Sequence, residues 1–400
     1  MLLCRSSCNK KPHITFILNP RRADNAKTKL NMKTAPKPLP LLLCSLLAGL
    51  VLNSCRNPVD PTDNFRFLQG EMIPNTEFFI SGKLMFSSIN ATPKVSTDGH
   101  WMAYRRFDDV PHDSTGIYLM DLTTRQKQLL MQDVSARSHD WSPDGEWIVF
   151  NMGQRIFKIR QNGRGLTQLT FPTSFPEINT TSLYDGSEFF PTWSPDGTEI
   201  AYLYSVDFRT GKGGIYRMKA DGSQRSFSEH KFVFTARQPS WHPSGECILG
   251  IRGFSATSTT TSFPVFNLKS NQTERVLNAV EGQDNQYAQY SPDGSRILFW
   301  NTQGIWVMNN DGSNLKRILP TYLSRPNETI VEGEQVGLVV KPASWHPDGK
   351  HIVFDQLRVT RIERTPPGMI GRGTFVNGYV SIRKLNVDDA INLMSGKTEF

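Results

Sequence analysis

Trp141-Ser142-Pro143-Asp144-Gly145, followed at once by the apolar run Trp147-Ile148-Val149-Phe150, is a pairing of turn and strand that recurs along the chain. Its copies are Trp193-Ser194-Pro195-Asp196-Gly197, Trp241-His242-Pro243-Ser244-Gly245, Tyr290-Ser291-Pro292-Asp293-Gly294 and Trp345-His346-Pro347-Asp348-Gly349, with a degenerate first copy at Val95-Ser96-Thr97-Asp98-Gly99. From Ser96 to Ser142, Ser194, His242, Ser291 and His346 the steps are 46, 52, 48, 49 and 55 residues. A regular period of that size marks a repeat architecture. In each copy Pro presets φ at the first central turn position, Asp or Ser takes the second, and Gly adopts the left-handed conformation that closes a hairpin.

The strands after the turns, such as Glu199-Ile200-Ala201-Tyr202 and His351-Ile352-Val353-Phe354, are rich in β-branched and aromatic residues. A third strand follows a variable connection, as in Gly116-Ile117-Tyr118-Leu119-Met120, Gly304-Ile305-Trp306-Val307-Met308 and Tyr379-Val380-Ser381-Ile382. Polar turns such as Asp221-Gly222 or Asp311-Gly312 lead to a fourth, for example Leu315 to Leu319. Four antiparallel strands in each of six repeats predict an all-β protein, a six-bladed β-propeller over residues 77–400, with seven blades the less favoured count. Phe78 to Ile80 and Lys83 to Ser87 read as strands ahead of the first repeat. They are either the strand that joins the first and last blades or a fragment of a seventh.

The succession aromatic-Ser-Pro-Asp-Gly, Ile-x-Phe or Tyr, Gly-Ile-Tyr-x-Met and Asp-Gly resembles the WD-like repeats of the TolB propeller family over residues 92–395. The resemblance implies the fold; it says little of activity, because the matching residues are turn and core residues. TolB itself carries a separate α/β domain ahead of its blades, and Cys55 to Lys94 is too short a stretch to hold one. The expectation is a lipoprotein that uses the propeller without that domain. Such repeats also resemble the propellers that precede the hydrolase domain of dipeptidyl peptidases, but no Gly-x-Ser-x-Gly elbow occurs here.

The first 54 residues read differently. Met32-Lys33-Thr34-Ala35-Pro36-Lys37 is basic, Leu41 to Leu52 is almost continuously apolar, and Leu52-Asn53-Ser54-Cys55 closes the run. Residues 32–54 are expected to be a signal peptide, too short for an ordinary membrane span, and its end resembles a lipobox in which Cys55 is lipidated. A signal anchor that stays uncleaved is the rival reading. Residues 1–31 are expected to be an upstream extension, with translation starting at Met32, and residues 55–76, with Pro58, Pro61 and Pro74, a tether. The expected location is the periplasm or cell envelope, and Arg56 rather than an acidic residue after Cys55 favours the outer membrane.

The formal charge of +8 belongs to that leader, since residues 1–54 hold nine Lys or Arg and one acidic residue. A neutral mature chain carries no nucleic-acid footprint. Cys4, Cys8 and Cys44 fall in the leader and Cys247 in a strand, so no disulfide framework is expected and Cys247 reads as a core residue.

Antiparallel order makes the connections alternate between two faces. The Pro-Asp-Gly turns, Asn162-Gly163, Asp221-Gly222 and Asp311-Gly312 trim one face, while Phe107–Thr115, Phe171–Pro191, Ser205–Gly213, Gly253–Phe263, Thr321–Lys341 and Arg358–Gly378 elaborate the other. Binding is expected on the elaborated face. Four residues before each motif aromatic, the mouth of the innermost strands holds Ala91, Arg137, Phe189, Arg237, Gln286 and Lys341, with His139 and Glu188 nearby. Arg137, Arg237 and Lys341 would favour an acidic side chain, a carboxylate terminus or an anionic sugar; solvated strand ends paired with nearby acids are the competing account. Phe171, Phe175, Tyr184, Phe189 and Phe190 form either a partner-contact patch or packing for a long loop.

No catalytic set, metal or cofactor is expected. The histidines are dispersed, and Asp144, Asp196, Asp293 and Asp348 each belong to their own turn. The leading expectation is a binding module for an envelope protein or peptide, tethered to a membrane through lipid on Cys55. The alternative is a glycan binder or polysaccharide lyase, for which His112, His139, Glu177, Asp185, Glu188 and Arg137 would be the candidate side chains.

Overall fold

In the computed structural model each Pro-Asp-Gly copy forms a tight hairpin. Gly145 N–H donates to Ser142 O at 2.9 Å, Ser142 N–H to Trp147 O at 2.9 Å, and Gly145 has φ +72. The Ser side chain is part of the hairpin: Ser194 Oγ donates to Asp196 Oδ1 at 2.6 Å and accepts from Glu199 N–H at 2.9 Å, and Asp196 Oδ1 accepts from Thr198 N–H at 3.0 Å. Ser96, Ser142 and Ser291 make the same contacts and are buried. His242 and His346 stand at this position in their own turns, whose Gly N–H bonds to the His carbonyl remain.

The structure describes residues 70–83, 91–106, 115–132, 138–171, 186–207, 212–227, 232–233, 239–252, 261–321, 338–364 and 374–395. They form a six-bladed β-propeller within one unit, Val59–Phe400. Going outward from the axis, blade 1 holds Lys94–Val95, Trp101–Arg106, Gly116–Asp121 and Lys127–Gln132. Blades 2 to 5 repeat this order from His139–Trp141, Ser187–Trp193, Ser240–Trp241 and Gln286–Tyr290. Blade 6 has Leu338–Trp345, His351–Arg364 and Thr374–Asn386, and its outer place is taken by Glu71–Met72 and Phe78–Lys83 from the other end of the chain. Phe78–Lys83 pairs with Val380–Phe375, so these residues close the ring and are not part of a seventh blade. Residues 84–87 lie outside the described residues.

Packing between blades explains the motif's aromatic. Trp141 joins Ala103, Ile117 and Leu119 of blade 1 to Ile148, Phe150 and Ile159 of blade 2. Trp193, Trp241, Tyr290 and Trp345 occupy the equivalent clusters, and Val95 takes this place between blades 6 and 1. Burying such a side chain contributes about 1.5–3 kcal/mol. Ile148 and Phe150 face blade 1 while Val149 faces blade 3, so the second strand is apolar throughout because both of its faces are covered.

Three sequence expectations change. Arg358–Gly378 is largely a hairpin that continues blade 6 out to the pair Arg364 and Thr374, and Ser205–Gly213 likewise lies mostly in paired strands. In the first, β-formers such as Val359, Ile362, Phe375 and Val376 favour pairing over a loop. Cys247 is half-buried at the start of its strand, its Sγ 3.7 Å from Glu274, rather than in the core. After the last strand comes α1 (Val387–Met394), which the sequence did not announce; Asn386 caps it by accepting from Asp388 N–H and Asp389 N–H. Val387 and Ala390 bury against blade 5, and Asp388 pairs with Arg296 at 2.8 Å, whose guanidinium lies over Trp345.

Candidate functional site: the axial cavity

The innermost strands touch one another in cyclic order around the axis. One step before the motif aromatic, polar side chains tie them together. Lys94 Nζ lies 2.8 Å from Asp140 Oδ1, while Asp140 Oδ2 accepts from Thr192 Oγ1 at 2.7 Å and Trp193 N–H at 3.1 Å. Ser240 Oγ accepts from Tyr290 N–H at 3.1 Å, and Gln289 Nε2 donates to Ala343 O at 2.6 Å. These bonds link blades 1, 2 and 3 and then blades 4, 5 and 6, and they satisfy backbone groups that the narrow axis would otherwise bury unpaired.

Within this belt is a cavity of about 20 Å³, the size of one water position. Thr92, Lys94, Ser138, His139, Phe190, Tyr287, Gln289, Pro342, Ala343 and Ser344 line it. Three of them, Thr92 (φ +44), Phe190 (φ +54) and Tyr287 (φ +56), have left-handed backbones. All three stand three residues before the motif position, in blades 1, 3 and 5. For β-branched and aromatic residues this conformation costs about 1–3 kcal/mol each. In blades 3 and 5 it coincides with a bulge, where the register shifts between Phe189 and Thr192 and between Gln286 and Gln289. Bulges re-aim side chains at sites of this kind.

The sequence-derived residues divide around that geometry. His139 lines the cavity and is buried, with Nε2 3.2 Å from Ala103 O, which makes Nε2–H the donor. Burial and then the Lys94 cation bring its pKa down to about 4, so the ring is neutral at pH 7. Glu188 is buried and turned away, ion-paired with Arg225 and 3.9 Å from Arg155. Burial pushes its pKa up against the pull of those cations. Gln286 is also buried and donates to Asp284. The structure therefore brings only His139 of these three to the cavity. Lys341 sits in the strand Leu338–Trp345, four residues before Trp345, but its side chain lies outside the described residues. Arg137, Arg237, His112, Glu177, Asp185 and Cys55 also fall outside them.

Lys94, Tyr287 and Gln289 were not anticipated. A count of four back from each aromatic assumes an unbroken period of two, and the bulges break it just there. Counting one and three residues back would have named them.

On the turn face a wider groove of about 540 Å³ separates blades 3 and 4, where Glu199 is held by Arg217 at 2.9 Å and Lys219 at 3.2 Å. Among the described residues no group of three His, Cys, Asp or Glu is placed to hold a metal ion, and no helix is long and apolar enough to cross a membrane.

A family model described as the TolB beta propeller domain matches residues 83–319. An uncharacterized protein of Agrobacterium fabrum is 26% identical over 216 residues, which is 51% of this chain and 65% of that protein; the chain thus spans less than two thirds of its relative. TolB from Acinetobacter baumannii is a similar solved structure, at 18% identity and a TM-score of 0.45 over 57% of this chain and 54% of its own. Oligogalacturonate lyase from Vibrio parahaemolyticus is another, at 13% identity and a TM-score of 0.44 over 72% of this chain and 76% of its own.

Proposed function

Because the chain belongs to the TolB beta propeller domain family, we propose that it is a cell-envelope binding module that takes a protein or peptide at the elaborated face. The observation that carries this reading is the set of left-handed Thr92, Phe190 and Tyr287 around one cavity. Strain repeated at one offset is retained where a site needs the side chains, and a propeller that served only as a spacer would have no use for it. The cations at Arg137, Arg237 and Lys341, placed by sequence at the same strand ends, suit an acidic contact on the partner.

The test is in-cell crosslinking of the full chain beside a triple variant, Arg137→Glu, Arg237→Glu, Lys341→Glu, at equal abundance. Capture of a defined protein by the parent and at least roughly tenfold less by the variant is expected. Equal capture by both would remove the charged mouth from the binding surface.

In the same reading residues 32–54 are a lipoprotein signal, Cys55 carries the lipid, the part of the expected tether 55–76 that precedes Gly70 links it to the propeller, since Glu71–Met72 and Thr76 belong to blade 6, and the outer membrane holds the anchor. Metabolic labelling with an alkyne fatty acid should mark the parent and leave Cys55→Ala unmarked. A labelled Cys55→Ala protein would end the anchor assignment.

A further inference from the structure

We propose that the groove between blades 3 and 4 on the turn face is a binding site for a planar aromatic ring, which lies against Arg217 and Lys219 as Trp147 lies against Lys158 and Arg160 in blade 2. The site is on the face opposite the partner surface above and does not rest on that reading.

Register carries the comparison between the two blades. Trp147 pairs with Arg160 and Val149 with Lys158; in the next blade Glu199 pairs with Lys219 and Ala201 with Arg217. Two residues after the turn glycine, blade 2 thus has an indole beside two cations, and blade 3 a carboxylate beside two cations. In blade 2 the indole fills the gap to the next blade. Lys158 Nζ is 4.7 Å and Arg160 Cζ 4.3 Å from the centre of its ring, and it packs against the core shared by blades 2 and 3. Lys158 Nζ also donates to Ala220 O of blade 3 at 2.8 Å. Trp101 packs at the same position between blades 1 and 2, and in blade 5 Arg296 reaches across to Trp345 and α1.

Glu199 turns back instead. Its carboxylate is held by Arg217 at 2.9 Å and Lys219 at 3.2 Å, both in its own blade. The core shared by blades 3 and 4 is Ala201, Ile215, Trp241 and Ile248 with Leu268, and beside it the groove of about 540 Å³ stays open. Small-ligand sites run from roughly 300 to 1,000 Å³, so the space is of a size that takes a ring together with what carries it.

The lining favours a ring over an ion. Arg217 and Lys219 already share a carboxylate, so a guest anion competes with Glu199 and a guest cation is repelled by both. Glu246 and Lys269 on the blade 4 wall are of opposite sign and add no net charge. A ring needs no counter-ion. Its face is attracted to the guanidinium and the ammonium, and its edge meets Trp241 and Leu268.

The test is ligand-detected saturation-transfer NMR on the full chain with two probes, free indole and the blocked tripeptide acetyl-Gly-Trp-Gly-amide. Saturable binding of at least one is expected, and acetyl-Gly-Leu-Gly-amide should bind at least about threefold more weakly than the Trp peptide. Tighter binding of the peptide assigns the site to a partner's side chain; equal or tighter binding of indole assigns it to a free aromatic molecule. Arg217→Gln should weaken the ring by at least about threefold. A second variant, Glu199→Trp with Gln224→Gly, rebuilds the blade 2 arrangement. Gln224 (φ +50) follows Lys219 by five residues as Gly165 follows Arg160, and a Cβ on Gly165 would come within 3.2 Å of the Trp147 ring. That protein should fill its own groove and bind neither probe. No binding of either probe by the parent, equal binding of the leucine peptide, or binding unchanged in Arg217→Gln or in the rebuilt variant would overturn the proposal.

Discussion

His139 is where burial and charge act most directly on one side chain. Burial and the Lys94 cation bring its imidazole down to about 4 in the fold, against an ordinary value of 6.5. The unfolded chain therefore binds a proton that the folded chain refuses between those two values, and stability must rise with pH across that window. Acidification from pH 6.5 to 4 is expected to cost as much as roughly 3 kcal/mol through this residue. In His139→Gln, urea denaturation at a series of pH values should show a flatter dependence over the window. An unchanged slope would mean that other groups set it. His139 was legible in the sequence as a mouth residue, but its burial was not, because that depends on the Ala103 carbonyl of the neighbouring blade. Phe190 shows a second limit: its aromatic character could be read, whereas a left-handed backbone at a Phe has no local signature.

Among the elements, the hairpins were the most legible part of the chain. Pro, Asp and Gly act within five residues, and the following strand declares itself by composition, so six blades could be counted directly. What escaped were α1 and the continuation of the blade 6 hairpin to Arg364 and Thr374, which depend on contacts made elsewhere in the fold. The closing strands lie between these cases, since their β character was visible and their partner was not. Thr76 is the pin that holds them: its buried Oγ1 donates to Ile73 O at 2.7 Å and accepts from Ile382 N–H at 3.0 Å. Thr76→Val keeps the shape and leaves that N–H unpaired. A loss of about 1–3 kcal/mol is expected, together with faster amide exchange in 374–386 than in blades 2 to 5. Uniform acceleration in every blade would argue against a local latch.

For the whole molecule, the six repeats are not six equivalent units. Among the described residues, the left-handed ones at the cavity fall in blades 1, 3 and 5, alternate members of a sixfold ring. The inter-blade belt has similar unevenness, since its bonds join blades 1, 2 and 3 into one group and blades 4, 5 and 6 into another. A repeat count cannot reveal either pattern, because both arise from the residues that differ between copies. The closure has a further consequence, for the order of manufacture. Thr76 and Ile382 are 306 residues apart, so the first of the described strands must wait for the last of them. Until residues 374–386 emerge, a nascent chain is an open arc with an unpaired strand edge at each end, the state that chaperones hold and proteases cut. Quality control needs no separate signal to tell a truncated product from a finished one, because only the finished chain can close its ring.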